Sequence, residues 1–300
     1  MSLQPVATFP SPLRYPGGKR KVINFMKLLF LENGLVGSDY LEPYAGGASV
    51  ALALLYDDYV DHVHINDLDD SVFGFWQAVL TDADTLCARI QDTRLTMDEW
   101  HRQRAVQADT SAQPLDLAFS TFFLNRTNRS GIITGGVIGG QDQTGKWKLD
   151  ARFNKGHLIQ RIQKVARFRS RITLTRLDAA DLLLDWLDTE QTGFVYLDPP
   201  YYVKGEGLYT NFYEHAHHEV IADLVRRLSC RWVVSYDEVP EILVFFTGYS
   251  TLPYTLSYSA ADRYRGDEVM FFSSGLRLPE AESPSCVPTS EVERARRRAS

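Results

Sequence analysis

Four consecutive residues, Asp198, Pro199, Pro200 and Tyr201, directly follow an apolar run at positions 194–197. A carboxylate and a proline carbonyl can accept the two hydrogens of an exocyclic amine, a poor nucleophile while its lone pair is delocalised into an aromatic ring. Two consecutive prolines make the turn rigid, and the tyrosine offers a face on which a flipped base can stack. The tetrapeptide therefore predicts a site that binds and activates an amine, although Asp-Pro-Pro also occurs as an ordinary turn.

Two further carboxylates follow apolar runs earlier in the chain. Glu42 comes after the run that ends at Leu41, and it opens a loop of small residues that leads into a helix-forming segment. Asp67 follows the run at 60–65. Because ligands bind at the carboxyl ends of the strands of an open α/β sheet, both are candidates for ligand binding, Asp67 through a ribose diol. The alternatives are a plain tight turn for the loop and a helix N-cap for Asp67.

The segments between these residues alternate between strand and helix character. Short apolar runs end in polar or Gly/Pro-rich turns, and helical periodicity follows several of them, as at 72–79. Two runs near the C-terminus, 252–258 and 268–272, are joined by a connection too short for a helical crossover. They should therefore pair antiparallel. The pattern predicts an α/β domain whose sheet is mostly parallel, with an antiparallel strand contributed by the C-terminal part.

Residues 82–165 interrupt this alternation, since they are polar and helical at first and then Gly-rich around 132–145. We therefore assign residues 1–81 and 166–278 to one α/β domain and residues 82–165 to an inserted module. The segment 279–300 combines several prolines with serine, glutamate and arginine, and we expect it to be a disordered tail.

The net charge of −6 means that any surface for nucleic acid must be local. The stretch 152–176 contains eight Lys and Arg residues and no acidic one, which fits either a phosphate-facing stripe or a solvated helix face.

The chain has no apolar run of about 18 residues and no secretion signal, so we expect a cytoplasmic protein without a membrane span. The histidines and the three scattered cysteines lack metal-ligand spacing, so we expect no metal.

Taken in their order along the chain, these segments resemble the DNA adenine methylase (Dam) family, in the group whose catalytic motif follows the recognition region. Tyr15-Pro-Gly-Gly-Lys19 resembles the family's N-terminal aromatic-x-Gly-Gly-Lys, and Glu42-Pro-Tyr-Ala-Gly-Gly47 resembles its acidic-Pro-Phe-x-Gly loop. Asp67 and the pair Asp181-Leu182 resemble its ribose-binding and adenine-binding positions. The residues 198–201 match its catalytic tetrapeptide in full, and the resemblance extends from 13 to about 272.

The resemblance implies a Rossmann-like, seven-stranded sheet of the S-adenosylmethionine-dependent methyltransferase type, with an inserted helical target-recognition domain. It also implies site-specific transfer of a methyl group from S-adenosyl-L-methionine to N6 of a flipped adenine in double-stranded DNA, as in restriction–modification systems. The catalytic residues would be Asp198, Pro199, Pro200 and Tyr201. The implied cofactor-binding residues are Tyr15, Gly17, Gly18, Lys19, Glu42, Tyr44, Gly46, Gly47, Asp67, Asp181, Leu182 and Asp198.

Three positions depart from the family pattern. Tyr44 stands where phenylalanine is usual and keeps a stacking surface, while Ala48 replaces a glycine by the smallest possible step. Leu182 replaces an aromatic residue, which weakens the assignment of Asp181. Two other functions remain open: methylation of a different amine, such as cytosine N4 or an RNA base, and a silent DNA-binding module that has kept only the fold.

The inserted module corresponds to the target-recognition region of the family. Asparagine and arginine side chains pair well with base edges and phosphates, and several stand around the Gly-rich stretch. The DNA-binding residues implied are Asn125, Arg126, Asn128, Arg129, Lys146, Lys148 and Arg152. A polar surface hairpin with structural arginines is the alternative for any one of them. We expect the protein to act as a monomer or a weak dimer.

Overall fold

The computed structural model describes residues 9–14, 19–187, 193–203, 213–259 and 263–299. The strands are β1 (Ser38–Glu42), β2 (Val60–Asn66), β3 (Ile172–Thr175), β4 (Phe194–Leu197), β5 (Arg231–Asp237), β6 (Ser250–Ser259) and β7 (Arg263–Phe272). The helices are α1 (Ile23–Glu32), α2 (Ser49–Tyr56), α3 (Asp70–Thr81), α4 (Ala83–Asp92), α5 (Met97–Ala108), α6 (Pro114–Thr127), α7 (Lys155–Arg167), α8 (Ala179–Leu187), α9 (His215–Arg227), α10 (Pro240–Phe245) and α11 (Thr289–Ala299). A 3₁₀ turn at Lys19–Val22 precedes α1.

The strands form one seven-stranded sheet in the order β3-β2-β1-β4-β5-β7-β6. The first five are parallel, and β7 lies antiparallel between β5 and β6. This confirms the predicted fold, including the antiparallel C-terminal pair. The chain moves outward from β1 to β3 and then returns to place β4 on the other side of β1. The carboxyl ends of β1 and β4 therefore flank the switch point at which open α/β sheets bind ligands.

Apolar side chains cover both faces of the sheet. All four side chains of β4 are buried, as expected for a central parallel strand whose two faces are both covered by helices. The larger of the two core clusters runs without a break from the sheet into the predicted insert, where Phe75 of α3 stacks on Phe122 of α6 at a centroid distance of 5.9 Å. The predicted boundary at 165 falls inside α7, which packs on α3 and α4. The insert therefore shares a hydrophobic core with the sheet.

The C-terminal segment is ordered, which corrects the expectation of a disordered tail at 279–300. Helix α11 packs on α1, and Val287 and Val292 are buried there. The side-chain amide of Asn24 donates to the carbonyl of Val287 at 2.9 Å. Few apolar residues anchor this segment. Its composition is dominated by prolines and charged residues, so those anchors are not evident from composition. Composition alone therefore predicted disorder where a few well-placed contacts fix a helix.

We expect Val292→Asp to lower the free energy of unfolding by about 2 kcal/mol, because the buried valine side chain would be replaced by a charge without a partner. Chemical denaturation followed by circular dichroism measures the effect. Glu293→Ala, on the exposed side of the same helix, is the matched control and should change stability by less than about 0.5 kcal/mol. Equal stability of the Val292→Asp protein and the wild type would mean that α11 does not dock on α1.

Candidate active site

Acidic residues collect at the carboxyl ends of the parallel strands, as the sequence predicts for Glu42, Asp67 and Asp198. Glu42 ends β1, Asp67 directly follows β2, and Asp198 directly follows β4. Asp178 stands three residues after the end of β3 and Asp237 ends β5, and neither was predicted as a site residue. Since parallel strands end at one edge, this edge of the sheet carries a concentration of carboxyl groups. Such a cluster favours a ligand with cationic centres and hydrogen-bond donors.

The loop from Glu42 to Ala48 is shaped by left-handed backbone conformations and tied to the next strand. Gly46 and Ala48 have φ angles of 45° and 47°. Gly46 N donates to Asp67 Oδ2 at 2.7 Å, and Glu42 Oε2 accepts from Ala51 N in the first turn of α2 at 3.2 Å. A left-handed alanine costs about 1 kcal/mol relative to glycine, which gives a physical reason for the glycine usual at this position in the family.

Asp67 belongs to the ligand-binding edge and does not cap the next helix. Its Oδ1 accepts from Asp69 N at 3.0 Å, and its Oδ2 accepts from Gly46 N. The cap of α3 is Asp69, which accepts from Ser71 N and Val72 N. Burial raises the pKa of Asp67 to about 7, although its two backbone hydrogen bonds act in the opposite direction. The helix-cap alternative for Asp67 is therefore excluded.

Lys19 lies at the centre of a buried network beneath the catalytic tetrapeptide. Its side chain is 3% exposed, and its Nζ lies 2.8 Å from Asp198 Oδ1 and 3.0 Å from Glu268 Oε2. It also donates to the hydroxyl of Tyr201 at 3.0 Å. Burial opposes its charge, but Asp198, Glu268 and the phenols of Tyr201 and Tyr254 together outweigh burial and raise its pKa well above the ordinary value. Lys19 is therefore a fixed cation that holds Asp198.

Asp198 offers part of its side chain to the cleft. Its Oδ1 is buried against Lys19, yet the side chain as a whole is 23% exposed. Burial raises its pKa to about 6, with Lys19 opposing the shift and Glu268 adding to it. The carboxyl is therefore mainly ionised at neutral pH. Pro199 and Pro200 are buried, so the turn that carries Asp198 is held on both sides.

Tyr201 is buried and hydrogen-bonded, whereas the sequence suggested an accessible ring. It is 2% exposed, and its hydroxyl donates to Glu268 Oε1 at 2.7 Å while its ring lies 5.1 Å from Lys19 Nζ. Stacking of a base on this ring therefore requires a rearrangement. The backbone after the tetrapeptide is fixed by Asp237, whose two oxygens accept from Tyr202 N at 2.9 Å and Val203 N at 3.1 Å.

An aromatic wall stands beside the carboxyl edge, and the sequence reasoning missed most of it. The hydroxyls of Tyr44 and Tyr213 are 3.1 Å apart. The ring of His218 lies 5.2 Å from that of Tyr202 and 5.4 Å from that of Tyr213, and its Nδ1 is 3.0 Å from the hydroxyl of Tyr236. Burial and the neighbouring histidines lower the pKa of His218 to about 4, so it is neutral at physiological pH. The wall is therefore uncharged and suited to planar rings.

The pair Asp181-Leu182 does not lie where the sequence reasoning placed it. Asp181 is exposed on α8, and Leu182 packs in the core against the sheet. Asp178, nearer to the end of β3, lies close enough to Tyr44 and Tyr213 to raise the pKa of both phenols alongside the larger effect of burial. Asp178 is thus the carboxylate of this segment that lies beside the two phenols, and a cofactor role for Asp181 stays a prediction. The remaining members of the predicted cofactor motif, Tyr15, Gly17 and Gly18, lie outside the described residues.

Asn125 and Asn128 were predicted to contact DNA, but the structure buries both. Asn125 accepts from Arg14 N at 2.8 Å and donates to the Gly131 carbonyl at 2.8 Å. Asn128 accepts from Trp100 Nε1 at 2.7 Å and donates to two backbone carbonyls of the following turn. Their amides therefore fold the insert and do not face DNA. A sequence cannot show whether a polar side chain will be used by its own backbone, which is why the prediction was wrong for both.

Arg126 is also buried, but its surroundings differ from those of the two asparagines. Its guanidinium donates to the Pro12 carbonyl. Burial, Arg161 and Arg14 lower its pKa to about 9, and no carboxylate lies within ion-pair distance of these three arginines in the described parts of the chain. Arg126 is not exposed at the surface. Its contact with DNA stays a prediction.

The other predicted DNA-binding residues, Arg129, Lys146, Lys148 and Arg152, are exposed. Lys148 donates to the Gln143 carbonyl. Lys146 and Arg152 both lie near Trp147, at 5.8 Å and 6.0 Å from its ring centroid, and this tryptophan is 59% exposed.

The basic stretch at 152–176 is less open than its sequence suggested. Arg171 and Arg176 pair with Asp58 and Asp70. Lys155 donates to the carbonyl of Gln91, in the last turn of α4, and to the carbonyl of Thr93, just after it. These three basic side chains are therefore engaged in ion pairs or hydrogen bonds within the protein.

The chain matches a known family over most of its length. The family model of D12 class N6 adenine-specific DNA methyltransferases covers residues 15–260. The chain belongs to this family. The Type II methyltransferase M.MjaIII of Methanocaldococcus jannaschii is similar at 24% identity over 204 residues, which span 63% of this chain and 68% of the relative. The protein is therefore a DNA adenine-N6 methyltransferase, and its methyl donor is S-adenosylmethionine.

Solved structures give weaker similarities to this methyltransferase. The SAM-dependent methyltransferase from Agrobacterium tumefaciens has a TM-score of 0.41 at 8% identity, over 85% of this chain and 62% of the other. TrmN from Thermus thermophilus has a TM-score of 0.38 at 15% identity, over 82% and 47%. The chain thus spans less than two thirds of either structure.

The carboxyl edge of the methyltransferase fits S-adenosylmethionine chemically. Asp67 is held so that its carboxyl lies at the end of β2, where a ribose diol can donate to it. Burial raises the pKa of Glu42 well above the ordinary value, and the nearby Asp198 and Asp67 add to this shift. Crowded carboxyl groups in this position gain from a neighbouring sulfonium or ammonium charge. The residues present therefore suit a cationic nucleoside cofactor.

The described residues offer neither a metal-binding cluster nor a membrane-spanning helix. They contain no group of three His, Cys, Asp or Glu side chains placed to hold a metal ion. Over the same residues, no helix combines the length and the apolar character needed to cross a membrane.

Proposed function

We propose that Asp198 and the Pro199 carbonyl accept the two N6 hydrogens of a flipped adenine. The observation that carries this proposal is the salt bridge of Asp198 Oδ1 to buried Lys19, while the rest of the carboxyl remains part-exposed. Two acceptors on the amine favour the pyramidal nitrogen and direct its lone pair away from the ring. When bound, S-adenosylmethionine supplies a methyl group on a positively charged sulfur.

The ionised state of Asp198 also provides for the proton that the amine must lose. N6 would bond to the methyl carbon as the bond between that carbon and sulfur breaks, and the sulfur would leave as a neutral thioether with the electron pair. The nitrogen would then carry a positive charge and a proton to release. A carboxylate whose pKa is about 6 can accept that proton and return it to solvent. Lys19 stays fixed by Glu268 and so keeps Asp198 in one orientation throughout. The chain then contributes mainly positioning and electrostatics, without a covalent intermediate.

For the cofactor we propose a site along the ends of β1 to β4. The Glu42–Gly47 loop and Asp67 would hold the amino acid and ribose parts. Tyr44 and Asp178, beside the aromatic wall, would hold the adenine ring. In this proposal Lys19 acts through Asp198, because it contacts the side chains of Asp198, Glu268 and Tyr201.

Methyl transfer to mixed-sequence duplex DNA, with labelled cofactor and digestion to nucleosides, tests the function. We expect the label in N6-methyladenine. Label in cytosine, or incorporation into RNA but not DNA, would contradict the proposal.

Because M.MjaIII is a type II methyltransferase, we also propose that this chain serves a restriction–modification system. Acting on DNA, it would work in the cytoplasm, as a monomer or a weak dimer.

We propose that DNA lies against the exposed group Arg129, Lys146, Trp147 and Arg152. An exposed tryptophan close to two cations offers a stacking surface within a positive patch. We expect the double variant Lys146→Ala, Arg152→Ala to weaken DNA binding and to reduce the slope of log K against log salt by about 2, because two phosphate contacts are lost. Fluorescence anisotropy at several salt concentrations measures both.

The matched control removes the same charge elsewhere on the surface. Arg167 and Arg169 are exposed and lie just before the start of β3, at the edge of the sheet opposite the active site. Replacing both with alanine should leave the salt slope nearly unchanged. Equal slopes for the two double variants would rule out the Trp147 surface as the DNA-facing element.

A further inference from the structure

Glu268 is a carboxylate buried in the middle of the antiparallel part of the sheet. It lies on β7 and is 1% exposed. Its Oε1 accepts from the Tyr201 hydroxyl at 2.7 Å, and its Oε2 accepts from the Tyr254 hydroxyl at 2.6 Å. Lys19 Nζ lies 3.0 Å from the same Oε2. One side chain thus joins β6 and β7 to the catalytic turn after β4 and to the turn before α1.

A structural role alone does not account for a charge in this position. Burying a carboxylate costs several kcal/mol, and a neutral glutamine could also accept hydrogen bonds from the phenols. What only the carboxylate provides is a second anion for Lys19, whose other ion-pair partner is Asp198. Lys19 is therefore shared between Glu268, which is fully enclosed, and Asp198, which faces the cleft.

We propose that Glu268 is a positioning residue for methyl transfer, which holds Lys19 and Tyr201 so that Asp198 presents its free oxygen to the target amine. The proposal rests on the function proposed above. The groups that face this centre are Lys19 before α1, Asp198 and Tyr201 after β4, Tyr254 on β6, and Tyr196 on β4. Tyr196 bonds Ser235 on β5 at 2.9 Å, which closes the network on that side.

Because Glu268 and Asp198 share Lys19, a change at Glu268 should alter the ionisation of Asp198. A residue with a purely structural role would not have this effect. With Glu268 charged, Lys19 stabilises the ionised form of Asp198 only in part, and Glu268 itself works against that ionisation. Without the charge on Glu268, the ion pair of Lys19 with Asp198 is no longer shared with that second anion. The carboxyl of Asp198 then ionises at lower pH, while Lys19 and Tyr201 lose the contact that fixes them. Rate and pH dependence should therefore change together.

The test is Glu268→Gln in the full chain, with kcat and kcat/KM for duplex DNA measured from pH 5 to 9. We expect kcat to fall by roughly 10- to 100-fold, the loss of a hydrogen-bonded charge contact. We expect the acid limb of the profile to move down by about one pH unit. The control is Glu241→Gln, which makes the same chemical change at an exposed position on α10 and should alter neither quantity.

A second variant protects the test if Glu268→Gln does not fold. Glu268→Asp keeps the charge but is too short to reach Tyr201, Tyr254 and Lys19 together, so we expect a lower kcat with the acid limb in its wild-type place. Wild-type kcat in a folded variant, or a uniform loss in Glu268→Gln with an unmoved acid limb, would overturn the proposal. Failure of the wild type to methylate DNA would instead contradict the proposed function.

Discussion

The Asp198→Asn variant is expected to methylate DNA with a kcat about 10³-fold below that of the wild type. Asparagine keeps the shape of the side chain, but it is a weaker acceptor for the amine hydrogens and cannot take up the proton. Cofactor binding should persist, because Asp67 and the Glu42 loop are untouched. Steady-state assays with labelled cofactor give kcat, and titration calorimetry gives the affinity for the cofactor.

The pH profile of the wild type provides a second reading of the same residue. Asp198 must be ionised to accept an N–H, and burial holds its pKa near 6. The rate should therefore rise as pH increases through about 6 and level off above 7. The control is Asp181→Asn, since this exposed carboxylate should not affect the rate. Full activity of Asp198→Asn would remove this residue from the mechanism, and loss of activity in Asp181→Asn would restore the original assignment of the cofactor site.

Lys19→Met is expected to lose both activity and stability. Methionine fills a similar volume, but it leaves Asp198 and Glu268 buried without their shared cation. Breaking a buried ion pair by removing one partner costs about 3 to 5 kcal/mol. We therefore expect a lower free energy of unfolding by that amount in urea denaturation, and no detectable methyl transfer under conditions where the wild type is saturated.

The matched control for this variant is Lys27→Met. Lys27 pairs with Asp57, a carboxylate about half exposed to solvent, so the pair is well screened. Its loss should cost less than about 1 kcal/mol and leave the rate unchanged. A Lys19→Met protein as stable as Lys27→Met would show that the buried network is not a paired ionic cluster. Retained activity would show that Asp198 does not need the lysine.

The predicted fold follows from local patterns, which is why it is confirmed in most of its elements. Apolar runs such as 194–197 and 232–235 mark the parallel strands, and a short connection between two late runs requires an antiparallel pair. The ends of those strands then place Glu42, Asp67 and Asp198 at one edge. The tetrapeptide adds the chemistry, since its residue types suit an amine.

The parts that sequence reasoning missed depend on contacts between distant segments. Glu268 stands at the start of an apolar run and shows its importance only when β7 lies between β5 and β6. Asp178 and Asp181 are both close to the end of β3, and only the path of the chain into α8 distinguishes them. Asn125 and Asn128 resemble DNA-reading residues in type, but backbone groups of Arg14 and the following turn already use them.

The continuous core beneath the insert limits how this enzyme could change its target sequence. Helices α4, α6 and α7 pack on α3, and α5 packs on α6. All four contribute buried residues to the same cluster that supports the sheet. Exchange of residues 82–165 for the corresponding segment of a relative would break that packing, and the hybrid would have to repack a core. If DNA lies against the exposed positions between 129 and 152, as proposed above, new specificity is more accessible there. On that proposal, specificity would evolve by point substitutions on this surface more readily than by recombination of whole segments.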